Sequence, residues 1–317
     1  MFMDFQIDYL LYLQNLREMT ADVLTPFFLL MTQFGEYLLP FSVFAVIYWC
    51  VDKRIGAFLI LNCGFSMMIN LLIKNAVCLY RPWVVDARVK PVEAALKYAG
   101  GYSFPSGHTT IAVSCWGAIG VFWRKIRGLL LLMLFLCVMI GLSRNYVGVH
   151  TLQDVVAAAV VAVVLLVLNW RIFCWMEKGK KRDLFVALIV TLFCILLSVY
   201  ICYKAYPQDY LNGVLFVDAN KCRLEVFSKL GFVVGGFCGY LLERRFVNFA
   251  LLCHSLLQKV QCALCGLIPL FVFLWVMSIF CKWLFEMQCA CFCGLFVISF
   301  YITFIYPFIL SRLGVYK

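Results

Sequence analysis

Apolar runs long enough to cross a bilayer recur along this whole chain, and they constrain its fold more tightly than any other feature. Inside lipid every backbone N–H and C=O has to be paired within the chain, which a helix does segment by segment. About 20 apolar residues suffice for one helical span. Only 14% of the residues are charged, against about 25% in an ordinary soluble domain. The mean hydropathy is +0.96. The sequence therefore predicts an all-α, polytopic transmembrane bundle of about nine spans. They fall near residues 35–51, 55–79, 107–123, 128–144, 150–170, 183–203, 225–243, 260–281 and 288–311.

Residues 1–34 mix Phe5, Leu10, Leu11, Leu13 and Leu16 with Asp, Gln and Asn. That pattern suits an amphipathic segment on the membrane surface, or a lead-in that lengthens the first helix. Asp4, Asp8, Arg17 and Glu18 interrupt the first twenty residues, so a cleavable signal peptide is not expected. The 17% aromatic content fits interfacial belts of Trp and Tyr.

The net charge of +11 is distributed as topology, with no basic, aromatic-interleaved face to hold a nucleic acid. Lys53-Arg54, Arg124-Lys125-Arg127, Arg171 with Lys178 to Arg182, and Arg244-Arg245 fall in alternate loops, and Arg312 and Lys317 share their side. The positive-inside rule turns these to the cytoplasm. The amino terminus then lies outside, where Asp4, Asp8, Glu18, Asp22 and Glu36 oppose Arg17. A multi-pass protein of the cytoplasmic membrane is expected, with its chemistry facing outside or into a lumen. Two outer segments, residues 83–104 and 204–224, exceed turn length and suit lids or recognition elements.

Most of the 17 cysteines, such as Cys63, Cys115, Cys137 and Cys238, lie within apolar spans and act as small hydrophobes. Cys289-x-Cys291-x-Cys293 opens an apolar helix without a nearby histidine, and packing explains it better than a metal. No metal and no cofactor is expected.

Three clusters hold most of the useful polar side chains: Lys74-x6-Arg81-Pro82, Pro105-Ser106-Gly107-His108 and Ser143-Arg144-x5-His150-x3-Asp154. Lys74 and Arg81 are nearly two helical turns apart and would share a face before Pro82 ends the helix. Such a pair serves to bind phosphate, or equally to snorkel toward headgroups. The second cluster reads as a loop entering a helix, whose free N–H groups form an anion site; a plain helix cap with a solvated histidine is the alternative. In the third, Arg144 closes one span, and His150 and Asp154 begin the next on one face. A carboxylate on one ring nitrogen leaves the other free to attack, or the pair simply ties helices together.

The three clusters, in this order, resemble the signature of the type 2 phosphatidic acid phosphatase family, over roughly residues 36–170. The resemblance implies a six-helix-type phosphatase core in residues 35–170, with additional helices in 171–317. It implies His150 as the nucleophile that becomes a phosphohistidine, Asp154 as its orienting partner and His108 as general acid. Lys74, Arg81, Ser106, Gly107 and Arg144 would hold the phosphoryl oxygens. The substrate implied is a membrane lipid phosphate or pyrophosphate. A small soluble phosphate is the alternative, as in the glucose-6-phosphatase branch, although that branch typically lacks the Asp found at 154. Phosphoryl transfer to another acceptor uses the same residues. A lipid transporter or scramblase with a vestigial site is the non-enzymatic alternative. Vanadate haloperoxidases share the signature but are soluble.

Overall fold

The structure, a computed structural model, describes residues 2–97, 99–211, 214–250, 255–280 and 287–314. Residue 281, the expected end of one span, lies outside them, as do His254 and Lys317. The described chain is helical, as expected, apart from a two-stranded antiparallel turn of β1 (Tyr210–Leu211) and β2 (Val214–Leu215).

The first helices are α1 (Phe2–Met19), α2 (Thr25–Gln33), α3 (Leu38–Val46), α4 (Lys53–Val77), α5 (Pro82–Val85) and α6 (Glu93–Leu96). Next come α7 (Gly107–Ala112), α8 (Ala118–Phe122), α9 (Arg127–Tyr146), α10 (Leu152–Met176) and α11 (Lys180–Tyr203). The last are α12 (Ala219–Leu242), α13 (Leu256–Phe280), α14 (Gln288–Phe300) and α15 (Tyr306–Arg312). Wider π-helical turns at Ile47–Val51, Val113–Gly117, Glu243–Val247 and Tyr301–Ile305 extend or join these helices.

Seven helical segments among the described residues are long and apolar enough to cross a membrane. The pair α2 and α3 makes an eighth, bent by 47°. The span expected at 107–123 is helical through α7, a π-helical turn and α8.

The chain divides into two compact units. One comprises Met1–Pro40, Ile69–Val167 and Lys204–Cys222, and contains all three polar clusters. Here α1 turns Gln6, Ile7, Leu10 and Arg17 inward, residues that a 100° helical step puts on one face. Ile7 and Leu10 pack with Val89. Gln6 Oε1 accepts from the Gln153 amide at 3.0 Å, and Arg17 Nη2 donates to the Lys90 carbonyl at 2.7 Å. Helix α2 lies on α9, with Phe28 stacked on Tyr146 at 4.0 Å and Thr32 Oγ1 bonded to Ser143 Oγ at 3.0 Å. The segment after α11 packs on the end of the first cluster. Tyr80 donates to the Asp209 carboxylate, and the ring of the fully buried Tyr102 lies parallel to that of Tyr206. These two tyrosines are thus held by protein side chains.

The second unit comprises Phe41–Met68, Leu168–Tyr203 and Arg223–Lys317. Its basic loops are internally paired. Lys53 meets the fully buried Glu243 at 2.7 Å, Arg54 meets Glu177 at 2.6 Å and Arg245 meets the buried Asp183 at 2.8 Å. Helices α12 and α14 approach backbone to backbone at Gly231 and Gly235, and Gly239, four residues on, meets the Thr303 side chain in the π-helical turn after α14. A Cβ on Gly231 would fall 2.0 Å from the Phe292 carbonyl oxygen, and one on Gly235 2.3 Å from that of Phe296. Close approach of this kind is how helices associate where lipid removes the hydrophobic drive. Gly231→Ala should therefore destabilise the detergent-solubilised protein by about 1–3 kcal/mol, the usual cost of overpacking. Thermal unfolding checks this, and an unchanged midpoint would refute the close-packed seam.

Candidate active site

The first cluster is built differently from its expected single helical face. Helix α4 ends at Val77, and Cys78 takes a left-handed φ of +53°. Arg81 is extended, with ψ 152°, because the following proline ring disfavours the α region for the residue before it. Lys74 therefore stays on α4 while Arg81 stands beyond the helix. The Arg81 side chain folds back as a staple. Nη2 donates to Gly100 O at 2.9 Å, Nε to Gly101 O at 3.2 Å and Nη1 to Val149 O at 2.9 Å. The same Nη1 lies 2.9 Å from His150 Nε2.

In the second cluster Ser106 caps α7. Its Oγ accepts from Thr109 N at 3.4 Å and Thr109 Oγ1 at 3.0 Å, which leaves its own hydrogen to donate. The Ser106 amide is committed to the Asp154 carbonyl at 3.0 Å, so the helix start offers fewer free N–H groups than the sequence suggested. Asn70 of α4 fixes this turn by donating to Thr110 Oγ1 at 2.9 Å and to Pro105 O at 3.3 Å.

The third cluster departs from expectation in one respect. His150 does not begin a helix; it sits in the turn between α9 and α10, and Leu152 is the first helical residue. Gly148 makes that turn with φ +74°, pressed against Pro91. Thr151 and Asp154 form a reciprocal cap, Thr151 N to Asp154 Oδ2 at 2.8 Å and Asp154 N to Thr151 Oγ1 at 3.3 Å. The same Oδ2 lies 3.3 Å from His150 Nδ1 and accepts from Ser103 Oγ at 2.6 Å. Ser103, Asp154 and His150 are all buried. With Nδ1 facing the carboxylate, Nε2 carries the lone pair.

Burial, and after it the charges of Arg81, Arg144, Lys74 and His108, hold His150 well below the ordinary imidazole range. It is neutral at pH 7. Arg144 is fully buried, yet its guanidinium makes one bond, Nη1 to Thr32 Oγ1 at 3.3 Å. Its Nε and Nη2 have no partner among the described residues. Buried donors without acceptors cost about 1–3 kcal/mol each, more when charged, so an arrangement like this persists where an anion binds. Lys74 is also buried and acts electrostatically on both histidines. His108 Nε2 is 2.7 Å from Glu36 Oε1.

The structure thus gathers Lys74, Arg81, Ser106, Gly107, His108, Arg144, His150 and Asp154 in one unit. It adds Ser103 and Glu36, which sequence reasoning missed. Ser103 stands three residues before Ser106, outside the second cluster; Glu36 counted only toward the outer charge. The three cations face two carboxylates, each already bonded to a histidine. The balance favours a bound anion.

All three clusters lie within residues 55–178, which match the PAP2 superfamily. The match begins later than the roughly residues 36–170 suggested by the motifs, and it leaves out Glu36. A relative, phosphatidylglycerophosphatase B of Bacillus subtilis (strain 168), is 28% identical over 131 residues. That alignment covers 38% of this chain and 60% of the relative, so the chain spans less than two thirds of it. No solved structure matches. For a buried guanidinium with donors left without a partner among the described residues, a tetrahedral oxyanion is the natural probe. Arg144→Met should weaken orthovanadate binding by about 10- to 100-fold, the worth of one or two hydrogen bonds to a charged group. Calorimetric titration of the detergent-solubilised protein checks this, and unchanged affinity would remove Arg144 from the anion site.

Proposed function

We propose that this chain is a membrane phosphatase that hydrolyses a lipid phosphate or pyrophosphate monoester through a phosphohistidine, at the non-cytoplasmic face. The observation that carries the reading is the buried Arg144 guanidinium with two unpartnered donors, electrostatically coupled to a neutral His150 held by a carboxylate. The PAP2 match and a relative named as a phosphatidylglycerophosphatase support a lipid phosphate. The apolar spans support access from the bilayer.

In this mechanism His150 Nε2 attacks phosphorus. The P–O bond breaks, and its electron pair leaves with the alkoxide, which takes a proton from His108. A water then gives its proton back to His108 and attacks phosphorus, the N–P bond breaks, and inorganic phosphate departs with His150 restored. Asp154 holds Nδ1–H and offsets the charge that appears on the ring during attack. Ser103 and the Thr151 amide keep that carboxylate in place. Lys74, Arg81 and Arg144, with the Ser106 hydroxyl and the Gly107 N–H, hold the equatorial oxygens. Positioning and charge stabilisation are most of what phosphoryl transfer asks of a protein. Arg81 has to give up its bond to Nε2 as the nucleophile engages. Three cations supply the positive charge, so no divalent metal is needed. The cytoplasmic membrane, with the basic loops inside, gives the orientation.

Purified protein should release phosphate from phosphatidic acid, phosphatidylglycerol phosphate or an isoprenyl pyrophosphate in EDTA, with loss of at least about 10³-fold in His150→Ala. A panel that also contains glucose 6-phosphate separates lipid from soluble substrates. Lipid movement across vesicles without phosphate release would overturn the enzyme reading. Trapped protein should carry a phosphoryl label that His150→Ala removes. Because His150 is held below its ordinary value, 6.5 in a model compound, its protonation should switch kcat/KM off only well below that pH. An acid limb at or above it, with a residue-150 origin, would contradict the neutral nucleophile.

A further inference from the structure

Glu36 comes from outside the residues that match the PAP2 superfamily, yet it makes the shortest polar contact to either active-site histidine. It stands in the turn between α2 and α3, where the helix pair bends by 47°. That turn is built rigidly. Thr32, Gln33 and Met31 carbonyls accept from Gly35, Glu36 and Phe34 amides at 2.9, 3.1 and 3.2 Å. Trp116 Nε1 donates to the Phe34 carbonyl at 2.8 Å, and Thr32 is pinned by Ser143 and Arg144. Gly35 lies flat against the histidine: a Cβ there would sit 2.9 Å from His108 Cδ2 and 3.0 Å from Ile140 Cγ2. The His108 side chain is 12% exposed and that of Glu36 20%.

From this geometry we infer that Glu36 is a positioning residue for His108, and that it selects for substrates whose leaving oxygen needs a proton. The inference rests on the phosphatase reading above. Glu36 Oε1 takes the Nε2–H, which fixes the ring plane and leaves Nδ1 as the nitrogen that exchanges a proton with the leaving oxygen. Arg144 on α9, Lys74 on α4 and His150 in the turn before α10 also act on this imidazole. Burial first, and then the cations Arg144 and Lys74, oppose its protonated form. Glu36 is the anion that favours it. The carboxylate therefore does two things for the departing alkoxide: it aims the donor, and it offsets part of the burial and cationic charge that oppose a proton there. A leaving group that is already a weak base needs neither.

The test compares kcat/KM for octyl phosphate, whose alkoxide is strongly basic, with that for 4-nitrophenyl phosphate, whose phenolate departs unprotonated. Glu36→Gln should lower the octyl value by about 10- to 100-fold, part of the ~10²–10⁴ that a general acid contributes. The aryl value should change less than about threefold. Glu36→Asp should restore much of the octyl rate, and adding Glu36→Gln to His108→Gln should cost little more, because the two act in series. Equal losses on both substrates would mean that Glu36 merely supports the fold, and no loss on either would mean that it is idle; both outcomes overturn the inference while leaving the phosphatase intact. A wild-type protein that cleaves neither ester nor any lipid phosphate would instead bring down the phosphatase reading itself.

Discussion

One carboxylate oxygen ties the clusters together. Asp154 Oδ2 accepts from the Thr151 amide, faces His150 Nδ1 and accepts from Ser103 Oγ, while the Asp154 carbonyl takes the Ser106 amide. A buried carboxylate is costly unless its lone pairs are filled. Filling those of Oδ2 draws the loop before α7, the turn after α9 and the first residues of α10 to one point, while Oδ1 has no partner among the described residues. The same bonds fix which imidazole nitrogen carries the proton. Helix capping, loop closure and the His150 tautomer thus depend on a single group.

Around it the cations divide their labour. Arg81 spends most of its donors on the carbonyls of Gly100, Gly101 and Val149, so it organises the loop as well as touching His150. Arg144 makes one bond to Thr32 and keeps two donors without a partner. Both are arginines with a planar fork, but one fork is occupied by backbone and the other keeps donors without a partner among the described residues. A lysine in either place would offer a single point charge and could not perform either task in the same way.

The residues the sequence did not reveal were hidden for a physical reason. Ser103 acts through a hydroxyl that reaches across 51 positions, and Glu36 through a turn 72 positions from its histidine. Neither has a periodicity or local spacing that betrays its partner. The same holds for Tyr80 and Tyr102, whose partners Asp209 and Tyr206 stand far along the chain. By contrast the glycines at 231, 235 and 239 carried a legible four-residue spacing, and only the neighbouring helix shows why it is there.

By itself the sequence determined the helical membrane class, the signature positions and the charge asymmetry of the loops. These follow from hydropathy and local spacing, which need no knowledge of neighbours. The tertiary structure alone decided that Arg81 lies beyond α4 and His150 before α10. It also decided that a glutamate from the first bent helix pair reaches His108. Those outcomes turn on where helices stop: a proline forbids helix at Arg81, and a reciprocal cap starts α10 at Leu152. Once the ends are set, packing chooses the partners, because a buried polar group left without one is costly.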